Sequence, residues 1–180
     1  MTHLCLWVFM ITKRLQGSLN IWGGPLLLSA VSGLLLLAPS TWAAALSYQR
    51  QAVTDGQWWR LLTDNFVHLG FWHWLFNALS LVLWGFLCPQ PLTATDWSLR
   101  LLLIGIGMSL GLYWFTPQLE TYVGLSGVIY GLFLLDLSAY ALAGDGIAWA
   151  CIVFLLCRVG WEWGVGIPAA EERLLGGQVV

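Results

Sequence analysis

Charge is what this sequence lacks most. Of 180 residues, seven are Lys or Arg and nine are Asp or Glu, 9% in all, where a soluble domain carries roughly 25%. A chain this short cannot hide a composition that is 59% hydrophobic, because roughly a third of a domain's surface stays exposed after folding. Mean hydropathy is +0.77, so the solvent for this chain is a membrane. The net charge is −2, and no basic patch offers a nucleic acid a surface, so none is expected as a partner. Cysteine is scarce too. Cys5, Cys88, Cys151 and Cys157 have no paired spacing, which excludes a disulfide framework or a metal knuckle and leaves membrane-buried thiols. Internal repeats, low-complexity tracts and linkers are absent, so 1–180 reads as one domain.

What the chain does have is apolar runs. A helix needs roughly 20 apolar residues to cross a bilayer. Spans are expected at 22–46, 66–88, 99–115, 125–143 and 147–165, separated by proline, glycine or short polar connections. The run 4–11 is too short to cross. The expected class is an all-α, polytopic helical bundle. Lys13 and Arg14 place the N-terminus in the cytoplasm, which makes the loop 47–65 external. Lys-Arg, an apolar stretch and "STWAAA" also fit a cleavable signal peptide, but a run of this length favours a retained helix.

The second run, "HLGFWHWLFN", holds His68, His73 and Asn77. Residues four apart share a helix face, so His73 and Asn77 point the same way. On a continuous helix His68 and His73, five apart, splay. Polar groups inside a membrane mark function by default, although interhelical hydrogen bonding accounts for them as well. A metal site lacks ligands, since no Cys, Asp or Glu completes a set nearby. Further on, "VGLSGVIYG" sets Ser126 between Gly124 and Gly127 at the head of an apolar run. Ser126 there is either a nucleophile or part of a packing strip with Gly127 and Gly131. An imidazole N–H, an amide NH2 and the serine's own backbone N–H are three donors suited to a tetrahedral oxyanion.

The combination of H-x4-H-x3-N and G-x-S-G, about fifty residues apart, resembles the rhomboid family of intramembrane serine proteases. The stretch "QWWRLLTDNFVH" is similar to that family's first external loop, with Trp59 and Arg60 at its structural positions. Within the family, "WWRLLT", "VGLSGVIYG" and the ending "WEW" look most like the rhombosortase branch. The resemblance implies Ser126 as nucleophile, with His73, Asn77 and the Ser126 amide as oxyanion hole. His68, Gly124 and Gly127 would lie beside the site. It implies no metal or organic cofactor. It also implies a lipid environment, no nucleic-acid partner, and a place in the bacterial inner membrane with the N-terminus cytoplasmic and the site toward the external face. The substrates implied are membrane-anchored proteins, with a C-terminal Gly-Gly, hydrophobic helix and basic tail in the rhombosortase case.

One part of the pattern is missing. The family's base is a histidine on a sixth helix, and the histidines here are His3, His68 and His73. Five of six expected helices are legible, and "ERLLGGQVV" stands where the sixth should begin. A truncated protease is the favoured expectation, in which Gly124, Gly127 and Gly131 would lack their packing partner. A pseudoprotease that binds transmembrane segments is the alternative. A small transporter or scaffold using Asp136 and an Arg158–Glu162 pair is a third, which leaves both motifs unexplained.

Overall fold

Proline and glycine cut the apolar runs into shorter pieces than hydropathy alone suggests. The computed structural model describes residues 20–165. Lys13 and Arg14, on which the orientation rests, lie outside them, as does His3. The span expected at 22–46 is two helices, α1 (Asn20–Leu36) and α2 (Ser40–Leu46). Pro39 makes the break: it caps α2 with φ −53° and ψ 144°, and a residue before proline is pushed out of the helical region.

The second expected span is corrected too. Strand β1 (Tyr48–Gln49), helices α3 (Arg50–Thr54) and α4 (Arg60–Thr63) and a 3-10 turn (Asp64–Phe66) precede α5 (Phe71–Leu87). Gly70 is fully extended, with φ −176° and ψ −179°, and the chain turns by 92° between Arg60–Phe66 and α5. His68 is therefore in the turn and not on the helix.

Helix α6 (Ala94–Phe115) starts earlier than expected because Thr93 and Asp96 form a reciprocal capping box. Such caps contribute about 1 kcal/mol. Strand β2 (Thr121–Tyr122) pairs antiparallel with β1, Tyr48 opposite Tyr122. Helices α7 (Ser126–Leu142) and α8 (Gly146–Val165) follow the expected boundaries within one residue. By length and hydropathy α6 qualifies alone as a crossing helix. The bent pair ending in α5 qualifies together, while α1 and α7 are apolar but shorter.

Trp84, Leu81, Val128 and Leu132 form a fully buried centre between α5 and α7. Lipid tails are as apolar as leucine, so helix association in a bilayer depends on close fit and polar links. Glycine notches supply the fit. A Cβ at Gly24 would meet Trp97 at 2.0 Å, and one at Gly85 would meet Trp22 at 2.7 Å. Trp74 lies against Gly33 and donates to the Ser29 carbonyl at 2.9 Å. Gly127 faces Met108, Gly131 faces Ile104, and Gly124 faces the His73 ring. The expectation that these three glycines lack a partner is overturned, because α6 and His73 fill the notches.

The polar links are equally specific. Arg100 on α6 contacts both oxygens of Asp136 at 2.7 and 2.8 Å, and Trp84 Nε1 donates to Asp136 at 3.1 Å. Three helices meet at one carboxylate that is 2% exposed. Arg158 pairs with Glu162 at 2.7 Å along α8. Arg100→Leu strands a buried charge and should cost roughly 3–5 kcal/mol, whereas Arg100→Leu with Asp136→Leu should recover much of that loss. Thermal melting of both variants in detergent checks it; equal losses would mean that the pair itself, and not the stranded carboxylate, carries the stability.

Candidate active site

Helix ends left open by the many breaks need partners for their last carbonyls, and two arginines provide them. Arg60, 7% exposed, donates to the carbonyls of Ala44 and Ser47 at 2.8 and 2.6 Å and to Gln57 at 2.8 Å, which closes α2. Trp59 Nε1 reaches the Ala45 carbonyl at 3.3 Å, with its ring half in the open. Arg50 donates to Leu112, Tyr113 and Thr116 at the end of α6, and to Leu119. A cation placed there also complements the helix dipole. The sequence motif marks Arg60; nothing local marks Arg50, whose partners lie 62–69 residues away.

This braced loop sets the imidazoles. The turn at Gly70 brings the His68 and His73 rings to 5.0 Å between centroids, at 71°. The splayed pair expected of a continuous helix is corrected by that turn. The Leu69 amide donates to His73 Nδ1 at 3.5 Å, so the His73 proton belongs on Nε2. His68 is the opposite case: Nδ1 lies 3.3 Å from the Phe66 carbonyl, which can only accept, and Nε2 is buried without a partner. One ring offers a donor and the other a lone pair. One helical turn beyond His73, Asn77 is 6% exposed, and its Nδ2 is a buried donor with no partner among the described residues.

Ser126 is the first residue of α7, so its amide belongs to the first turn, whose N–H groups make no intrahelical bond. The helix dipole favours negative charge there. Gly124, two residues earlier, has φ +127°, and a Cβ on it would lie 2.8 Å from His73 Nε2. This is one of the few positions in the chain where only glycine fits both backbone and neighbour. The Ser126 hydroxyl lies 3.3 Å from the Tyr122 hydroxyl. Burial pushes the Tyr122 phenol up to about 12 despite the Ser126 hydrogen bond, so it is neutral at physiological pH and no base. Among the described residues, no imidazole or carboxylate reaches the Ser126 hydroxyl.

Behind the serine turn sits Asp64, fully buried. Its carbonyl accepts the Gly124 amide at 3.1 Å, and its carboxyl accepts from Ser109 at 2.8 Å and Asn65 at 2.7 Å. Burial raises this carboxyl from 3.8 to about 7, more than the hydrogen bonds from Ser109 and the main chain lower it. A folded value above the unfolded one means that the proton favours the fold. The contribution is complete below about pH 4 and is lost as pH rises through about 7. Asp64→Asn should flatten this part of the stability curve. Melting temperatures of wild type and variant at pH 5 and pH 8 decide; parallel curves would rule out Asp64 as the titrating group.

A cleft of about 350 Å³ runs between Ala43 and Ala44 of α2, His68 and Leu69 of the turn, and Tyr122 and Val123. Thus Gly124 lies against His73, and the Tyr122 hydroxyl reaches the Gly124 carbonyl at 3.5 Å and the Ser126 hydroxyl at 3.3 Å, with Asn77 one turn beyond His73 on α5. Gly127 packs away from them onto α6, and Trp59 and Arg60 brace the loop. Tyr122, Asp64 and Ser109 are functional candidates that spacing could not find.

The model of the Rhomboid domain matches residues 55–167. YdcA of Bacillus subtilis (strain 168), assigned by name to the rhomboid proteases, is 35% identical over 92 residues, 51% of this chain and 46% of its own length. The rhomboid protease GluP of the same organism is 29% identical over 121 residues, 65% of this chain and 24% of its own. The chain therefore spans less than half the length of these curated relatives. No solved structure matches. A match over more than half of the chain, enclosing both motifs together with Trp59 and Arg60, carries the conclusion: this chain is an integral membrane protein that belongs to the rhomboid family.

Proposed function

We propose that this chain is an intramembrane serine endopeptidase with Ser126 as nucleophile. The observation that carries the proposal is a pair of donors on one face of α5. His73 Nε2–H lies against Gly124, and Asn77 Nδ2 is buried and unsatisfied. A buried amide NH2 without a partner costs roughly 1–3 kcal/mol, which a transition-state oxyanion would repay. In the reaction the Ser126 Oγ bonds to the scissile carbonyl carbon and its proton passes to a base. The oxyanion is held by His73, Asn77 and the Ser126 amide. Collapse breaks the C–N bond, the amine leaves with the proton, and water then frees the acyl group. The resemblance gives the base role to a histidine on the family's sixth helix, a role that the spacing of His68 and His73 does not fit. Substrates are membrane-anchored proteins whose extended segment enters the cleft beside His68, at the external face of a polytopic bundle in a bacterial inner membrane. Specificity of the rhombosortase kind, for a C-terminal Gly-Gly tail, is the narrower form of this reading.

One observation favours a second reading, a pseudoprotease that holds transmembrane segments: among the described residues Ser126 is met by neutral Tyr122 and by no base. Labelling of the protein in its native membrane with a fluorophosphonate separates the two. Label that disappears in Ser126→Ala, together with cleavage of a transmembrane reporter, supports the protease. Capture of the reporter with neither label nor cleavage supports the binder and ends the protease reading.

A further inference from the structure

Helix α6 is exposed or half-buried over most of its length, and its buried residues are Gly105 and Ser109. They lie four apart and so share one face. That face receives the turn at 64–65, beside Leu62 of α4 and Val128 of α7. A Cβ at Gly105 would meet Asn65 Nδ2 at 3.3 Å and Val128 of α7 at 3.6 Å. Ser109 donates to Asp64 at 2.8 Å. Asn65 in turn donates to Asp64 at 2.7 Å and to the Leu62 carbonyl at 3.1 Å. Two side-chain donors thus converge on one carboxyl with no exposure, in a chain that has few polar groups to spend.

The consequence appears on the main-chain side of the same residue. The Asp64 carbonyl accepts the Gly124 amide at 3.1 Å. Gly124 is the residue against which the His73 ring lies, and it stands two positions before Ser126. With its carboxyl anchored to α6 and to Asn65, Asp64 has one orientation available for that carbonyl. We propose that Asp64, clamped in the Gly105–Ser109 notch of α6, is a positioning residue that sets the distance between the serine turn and His73. It touches neither substrate nor the reacting atoms and acts through Gly124. The kinetic part of this proposal rests on Ser126 being the nucleophile; the structural part does not.

Two readouts are taken on wild type, Asp64→Ala, Asp64→Asn and Ser109→Ala. The first is fluorophosphonate acylation, separated into the labelled fraction and the rate constant. The second is amide hydrogen exchange at Gly124, compared with residues 129–137 inside α7. For Asp64→Ala, loss of a hydrogen-bond-sized restraint should slow acylation about tenfold or more at full labelled fraction. Exchange at Gly124 should rise by a similar factor, with 129–137 unchanged. Asp64→Asn keeps an acceptor for Asn65 and a donor that Ser109 can accept, so it should restore most of the rate. Ser109→Ala should move both readouts the same way, by less. If the labelled fraction falls while the remaining molecules react at the wild-type rate, Asp64 is only a folding residue. Unchanged Gly124 exchange in both Asp64→Ala and Ser109→Ala also overturns the proposal. Should wild type take no label, the exchange arm still decides on Asp64, and it is the protease reading that fails. If Asp64→Ala does not fold, Ser109→Ala carries both readouts.

Discussion

Alanine at position 124 is expected to abolish Ser126 reactivity while leaving the protein folded. Two penalties coincide at this residue. The backbone sits at φ +127°, and the new Cβ would lie 2.7 Å from His73 Cε1 and 2.8 Å from Nε2. The strained backbone costs of order 1–3 kcal/mol. The ring cannot be spared a shift, because heavy atoms do not approach so closely. His73 is tethered at the other side by the Leu69 amide on Nδ1, so moving the ring breaks that bond or carries the Gly70 turn with it. Losing one oxyanion donor costs about 10²–10³ in rate, and the turn that presents Ser126 is displaced as well, so the combined loss should exceed 10³. Gly127→Ala is the control. Its Cβ would meet Met108 Cε and Cγ at 2.8 Å, but the unbranched Met108 side chain can change rotamer as a whole, and Gly127 has no positive φ to strain. That variant should lose less than tenfold. If both variants react at comparable rates, the close approach of Gly124 and His73 has no catalytic meaning.

What the sequence made legible follows from which interactions are local. His73 and Asn77 are four apart on one helix, and "GLSG" is contiguous, so spacing alone places these residues. The start of α7 was legible for the same reason. The position of His68 was not, because it depends on the extended Gly70 and the 92° turn, and hydropathy runs straight through both. The break between α1 and α2 hangs on a single Pro39 inside an apolar run. Asp136 was visible as a carboxyl at membrane depth, but its partner Arg100 is 36 residues upstream. Asp64 and Ser109 are 45 apart, and the β1–β2 pair joins segments more than seventy residues apart. Such pairings have no periodicity to betray them. The glycines show the limit most clearly. Gly124, Gly127 and Gly131 read as one strip awaiting one helix, whereas His73, Met108 and Ile104 each take one.

The second large effect is expected at Asn77, and its diagnostic value lies in a dissociation. Most buried polar side chains stabilise a fold through their hydrogen bonds, so removing them costs stability and activity together. The Asn77 amide nitrogen has no partner among the described residues, and a buried, unsatisfied donor is a liability of roughly 1–3 kcal/mol. Asn77→Ala therefore removes little that the resting protein uses, and its melting temperature should hold or rise. Reactivity should move the other way, because the same nitrogen lies one turn from His73 on the face toward the serine turn. Loss of one such donor corresponds to about 10²–10³ in acylation rate, or roughly 3–4 kcal/mol of transition-state stabilisation. Melting in detergent and fluorophosphonate kinetics on the same preparation test the two halves at once. A fall in both would make Asn77 a structural residue whose partner is interhelical. A stable variant that reacts at the wild-type rate would remove Asn77 from the oxyanion hole and leave the donors to His73 and the Ser126 amide. Stability gained with reactivity lost is the outcome expected of a donor kept unsatisfied for the transition state, and an interhelical hydrogen bond does not produce it.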